Sequence, residues 1–166
     1  MKLICTATAF LILTSSSLFN ASQAVSTTIK PIVATKTRTK ANIKGWDINV
    51  TNVRYLGPVV QGKHKLHEAA GTWIAVTVTC TNTTGKRQRS DESPMTSALA
   101  ELIDTSAKKH QVNETEYKYD TELLFKPYAP NETRTEVWLF DVPDGTRASQ
   151  LILNSLDSSF RSFPLW

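Results

Sequence analysis

The chain has 166 residues, with 19 Lys and Arg against 15 Asp and Glu, a formal net charge of +4, 40% hydrophobic residues and two cysteines. This composition excludes a chain too poor in apolar residues to fold, a continuously apolar membrane protein, a disulfide-dense mini-protein and a four-cysteine zinc site. The positive balance is too small to argue for nucleic acid.

Met1 and Lys2 form a short positive region, residues 3–13 (LICTATAFLIL) an apolar run, and Ser22-Gln23-Ala24 offers small residues where a signal peptidase reads. A secretory signal peptide over residues 1–24, cleaved after Ala24, is therefore expected. The apolar run is about half of what a bilayer span needs, and no later segment reaches ~18 consecutive apolar residues. The expectation is a secreted or periplasmic protein with no transmembrane segment in its mature chain. Cys5 leaves with the signal, so Cys80 is a lone thiol that cannot close an internal disulfide.

Residues 25–44 (VSTTIKPIVATKTRTKANIK) contain Lys30, Lys36, Arg38, Lys40 and Lys44, five threonines and no acidic residue. Such a composition buries little, and it reads as a flexible basic arm with a short strand at residues 31–34. Residues 45–166 carry 13 basic and 15 acidic residues, so the positive charge belongs to the arm and the domain is mildly acidic.

From residue 45 onward the sequence alternates in short segments. Trp46, Ile48 and Val50 share one face, then Val53 and Tyr55, and the slip at Thr51-Asn52 predicts a β-bulge, with Gly57-Pro58 ending the strand. Residues 72–81 form the strongest strand, with Ile74, Val76, Val78 and Cys80 on one face and Trp73, Ala75, Thr77 and Thr79 on the other. A turn at residues 82–85 leads into a polar stretch. Residues 98–104 read as a strand because a turn signal follows at once, and residues 116–125 alternate loosely. Residues 129–132 form a turn, residues 136–142 (EVWLFDV) a buried strand before Pro143-Asp144-Gly145, and residues 151–153 and 160–166 two more, the last at an edge. About seven short strands without a convincing long helix predict an all-β, immunoglobulin-like antiparallel sandwich over residues 45–166.

The run from Gly71 to Asn82 (GTWIAVTVTCTN), a strand ending in Asn before a turn, resembles an uncharacterised family of exported bacterial domains. These have an immunoglobulin-like sandwich similar to the mycobacterial immunoprotective antigen. Leu102-Ile103-Asp104 resembles that family's step into a turn, and Pro130-Asn131-Glu132-Thr133 with Val137 to Pro143 resembles its turn and closing strand. Asn131 and Ala107 stand where the family has turn glycines, and Asn also accepts positive φ. The resemblance implies a fold and no catalytic residue.

His64-Lys65-Leu66-His67-Glu68 is the one local cluster with metal-ligand residue types. His64 and His67 are candidate ligands with Glu68 or His110, although Lys63 and Lys65 oppose a cation and the cluster is expected in a solvated loop. Cys80 shares its face with apolar residues and is expected to be a buried structural thiol rather than a nucleophile. Trp46, Trp73 and Trp138 are expected to pack the sheets rather than stack sugars. No nucleophile elbow, phosphate loop or dinucleotide fingerprint is present.

The expected function is a non-enzymatic exported binding or structural module that takes no cofactor. Its arm, through Lys30, Lys36, Arg38, Lys40 and Lys44, would meet anionic cell-envelope material, with an unknown protein as the other partner class. The alternatives are a metal-handling protein using His64 and His67, or a secreted hydrolase with a site assembled from distant loops.

Overall fold

The computed structural model describes residues 39–62, 65–95, 99–117, 125–154 and 160–165. The signal region, most of the basic arm with Lys30, Lys36 and Arg38, His64 and residues 118–124 of the loosely alternating segment lie outside these.

Two antiparallel sheets pack face to face. In the first, β1 (Thr39–Ile43), β2 (Trp46–Gln61), β3 (Leu66–Asn82), β7 (Thr133–Val142) and β6 (Glu114–Tyr117) lie side by side in that order. The second has the order β5 (Lys109–Gln111), β4 (Ala100–Asp104), β8 (Ala148–Asn154) and β9 (Phe160–Pro164). The all-β sandwich read from the alternation is thus present, with nine described strands where about seven were expected. The extra ones are β1 and the short β5.

Alternation builds the core. Ile48, Val50 and Val53 from β2, Ile74, Val76, Val78 and Cys80 from β3, and Trp138, Phe140 and Val142 from β7 face Leu102, Leu151, Leu153 and Phe163 of the second sheet. The expected bulge is there, as a register shift between Val50 and Asn52 that re-aims Val53 and Tyr55 inward. At the side of the sandwich the Thr39 hydroxyl donates to the Pro164 carbonyl at 3.0 Å, tying β1 to β9.

Several expected boundaries move: β3 starts at Leu66 rather than at residue 72, β6 is Glu114–Tyr117 with Phe125 in a turn, and two others have a clear physical cause. Thr39–Ile43, the end of the expected flexible arm, is a strand whose partners on β2 run from Val50 back to Trp46. Ile43 is buried and Ala41 packs against the core, because threonine and β-branched residues hold a pleat even where lysines share it. In addition, Gly57-Pro58 does not end β2. Its register shifts at Gly57 and resumes at Val59, so the missing Pro58 N–H falls at a bulge and the strand continues to Gln61.

That continuation makes a flap. Residues 59–61 pair with the start of β3, and between Val59↔Glu68 and Gly57↔Trp73 β3 uses several more residues than β2. The ribbon therefore bends sharply. The Trp73 indole N–H donates to the His67 carbonyl at 3.2 Å, whereas six residues of straight strand would separate their backbones by about 20 Å. The flap lies back across the outer face of its own sheet, where Leu56, Val60 and Ala69 pack with Trp73, Ala75, Leu139 and Val137 in a second, small apolar cluster.

Candidate functional site

The bend leaves a cleft of about 880 Å³ in the crease between the flap and one end of the sandwich. One wall is Tyr55, Gly57, Pro58, Ala70, Gly71 and Thr72; the other is Thr105 and the turn of Asp144, Gly145, Thr146 and Arg147. Its size falls in the range that encloses a small organic molecule.

Each wall has a local cause. Gly57 sits at φ +79° and Gly145 at φ +78°, conformations that L side chains seldom adopt. Gly145 is the third residue of a turn closed by Thr146 N–H donating to the Pro143 carbonyl at 3.1 Å, the position a type II turn reserves for positive φ. Gly71 is required for a different reason, since a Cβ there would overlap the carbonyl oxygen of Val142. The Asp141 carboxylate then accepts the amides of Ala70 at 2.8 Å and Gly71 at 3.1 Å, fixing the crease to the end of β7. Across the cleft, the Tyr55 hydroxyl accepts the Ala148 amide at 3.0 Å, and Thr105 N–H donates to the Arg147 carbonyl at 2.9 Å. Burial pushes the Tyr55 phenol above its ordinary value, so it stays a neutral hydroxyl at the cleft floor. The lining is mainly backbone and short side chains, with one guanidinium and one carboxylate as its charged groups.

Behind Thr105, the Asp104 carboxylate accepts Ser106 N–H at 2.8 Å and Lys108 N–H at 2.9 Å, and pairs with His110 Nε2 at 2.9 Å. The hydrogen bond to His110, with these amides, holds the carboxyl below the usual aspartate range. The turn shaped in this way carries Ala107 at φ +63°, so alanine takes the conformation for which the resembled family uses glycine. Asn131 likewise sits at φ +61°, following Pro130 in a turn closed by Glu132 N–H to the Ala129 carbonyl.

The residues singled out from sequence are dispersed. His67 is in β3 rather than in a solvated loop, and only 3% exposed, because the flap turns it onto the sheet beside Trp73. Its Nδ1 lies 3.8 Å from a Glu114 oxygen, and Lys65 Nζ reaches both oxygens of that carboxylate at 2.8 and 2.9 Å. His110 is committed to Asp104 in the other sheet, and among the described residues no three His, Cys, Asp or Glu converge as a metal-ligand group. Lys40 pairs with Asp47, which lowers the latter's carboxyl chiefly through that contact, and Lys44 occupies the β1–β2 turn at φ +49°.

Cys80 is buried, 3.6 Å from the Ser93 hydroxyl, and desolvation pushes its thiol up to about 12. Such a thiol is no nucleophile at neutral pH. Trp46, Trp73 and Trp138 are all buried. Near Cys80, Glu136 also points inward; its carboxylate accepts the Trp138 indole N–H at 2.7 Å, and burial raises its pKa to about 7.

The cleft itself went unseen in the sequence. Its signals were Gly57-Pro58, Gly71 and Pro143-Asp144-Gly145, each of which reads singly as a turn.

No family model matches the sequence, and no curated protein matches it. Among solved structures, a functionally unknown protein from Listeria monocytogenes EGD-e superposes with a TM-score of 0.50 at 8% identity, covering 82% of this chain and 87% of that one. An uncharacterized β-sandwich protein from Clostridium difficile 630 gives 0.49 at 15% identity, covering 78% and 91%. A conserved hypothetical protein from Bacillus anthracis gives 0.46 at 12%, covering 79% and 94%. At these identities the likeness concerns the fold alone.

Proposed function

We propose that the chain is a non-enzymatic exported binding module whose sandwich holds a small, largely apolar ligand in the crease cleft, with a polar end of the ligand meeting Arg147 or Asp144. The observation that carries this reading is the cleft, a concave and mostly apolar volume that includes the Tyr55 ring and Pro58 and has few charged groups, as ligand sites usually do. The signal region supports export, and the resemblance to exported bacterial sandwich domains points the same way. The basic stretch that precedes β1 supports attachment to an anionic envelope surface by screened attraction.

Anilinonaphthalene sulfonate, an apolar ring system with one anionic group, serves as the probe. We expect saturable fluorescence enhancement with the folded full chain, an affinity at least about tenfold lower in Thr105→Trp, which fills the cleft, and a smaller loss in Arg147→Ala. Equal affinity in the wild type and Thr105→Trp would remove the cleft as the ligand site.

A further inference from the structure

The flap and the cleft share residues. Gly57, Pro58, Ala70 and Gly71 are both the bend of the ribbon and one wall of the cleft, so the flap cannot change its angle without moving that wall. Beyond the crease, the flap is held down by an apolar underside and a few polar contacts. Lys65 grips the Glu114 carboxylate with two hydrogen bonds, and Glu114 belongs to β6, two strands away from β3 in the sheet. The contact thus reaches across β7 from the free end of the flap to the far edge of the sheet. The Trp73 indole bond to the His67 carbonyl is a further tie, and His67 Nδ1 lies 3.8 Å from the same Glu114 carboxylate.

The upper surface of the flap leaves Val59 and Leu66 each 51% exposed, so no layer among the described residues covers it. A two-stranded ribbon fixed on one side, with a bend built on a positive-φ glycine, is the kind of element that opens locally at less cost than the sandwich beneath it.

We propose that the Lys65–Glu114 ion pair is a latch for this flap and that the latch and the cleft are coupled, so that ligand in the crease favours the closed flap and the closed flap favours ligand. This rests on the reading of the cleft as a ligand site. Coupling of this sort is reciprocal, which gives two independent measurements. Lys65 is well exposed and Glu114 partly so, hence breaking their pair changes the flap equilibrium modestly and leaves the core intact.

The test is hydrogen exchange by mass spectrometry on the full-length wild type, Lys65→Ala and Glu114→Gln, with and without anilinonaphthalene sulfonate. Glu101→Gln, which breaks the comparably placed Lys109–Glu101 pair of the other sheet, is the control. The expected result is exchange about three- to fivefold faster at residues 66–71 in both latch variants, with residues 74–80 unchanged, and a probe affinity reduced by a similar factor. In the wild type, the probe slows exchange at residues 66–71. Glu101→Gln changes neither quantity.

Unchanged exchange at residues 66–71 in both latch variants would overturn the latch. Faster exchange with undiminished probe affinity would overturn the coupling. A probe indifferent to Thr105→Trp would overturn the cleft as a ligand site, and the coupling with it, while the effect of Lys65→Ala on exchange would still be read separately.

Discussion

The two ends of the sandwich solve the same problem in opposite ways. At one end the chain turns its polar groups inward and satisfies them itself. Asn82, fully buried, donates to the carbonyls of Lys86 at 2.7 Å and Ala129 at 3.1 Å, and accepts Thr84 N–H at 3.1 Å and the Thr84 hydroxyl at 2.8 Å. Its own backbone pairs with Glu132 and Asn131. Arg134 lies over the Tyr128 ring at 3.7 Å and bonds Glu132, while Trp46 meets Tyr128 edge-on. At the other end, glycines and a bent ribbon leave a cleft. The contrast shows where a sandwich without disulfides places its rigidity and where it leaves volume for a ligand.

The most severe break comes at the closed end. Asn82→Ala empties a buried site, takes the donor from two part-buried carbonyls and removes the turn's acceptor, so a loss of about 3–4 kcal/mol is expected in urea unfolding, with no change of the cleft lining.

Next is the pH response of Glu136. Below its ordinary value of 4.5 the carboxyl is protonated folded and unfolded alike. Between there and about 7 the unfolded chain releases the proton and the folded chain keeps it, so stability falls as pH rises through this window and then levels. The fall is about 3 kcal/mol. Urea titrations at a series of pH values should show it as a difference between the wild type and Glu136→Gln. An identical pH dependence in the two proteins would refute a carboxyl whose burial outweighs its indole hydrogen bond.

At the open end the expected effect is smaller. Gly71→Ala must push the crease away from Val142, at a cost of about 2 kcal/mol, and should speed exchange in residues 66–71 more than in the core. Equal acceleration throughout would show that the flap and the sandwich open together rather than separately.

Much of the closed end was legible. The Asn at the end of the strongest strand, the Pro130-Asn131 turn and the apolar phase of Ile74, Val76, Val78 and Cys80 are local signals whose meaning the fold preserves. The open end was not, because its meaning is relational. Gly57-Pro58 reads as a stop, and only the partner strand reveals a bulge that absorbs the proline. His67 and Glu68 read as a polar pair in a loop; the bend that turns His67 under the flap depends on Gly71 passing close to Val142, about seventy residues away in sequence. Similarly, Lys40 and the basic residues flanking β1 concealed the pleat that Ala41 and Ile43 share.

Cys80 has a bearing on the chain's history as well as on its core. As the lone thiol of residues 25–166, it is open to mixed-disulfide formation with an added oxidant only until β3 is covered by the second sheet. Under oxidising refolding conditions, folding and oxidation would therefore compete for a single atom, and the winner would be recorded covalently. A disulfide-linked dimer would mark molecules that met oxidant before they packed, so the fraction of free thiol in a preparation reports how promptly the sandwich closed.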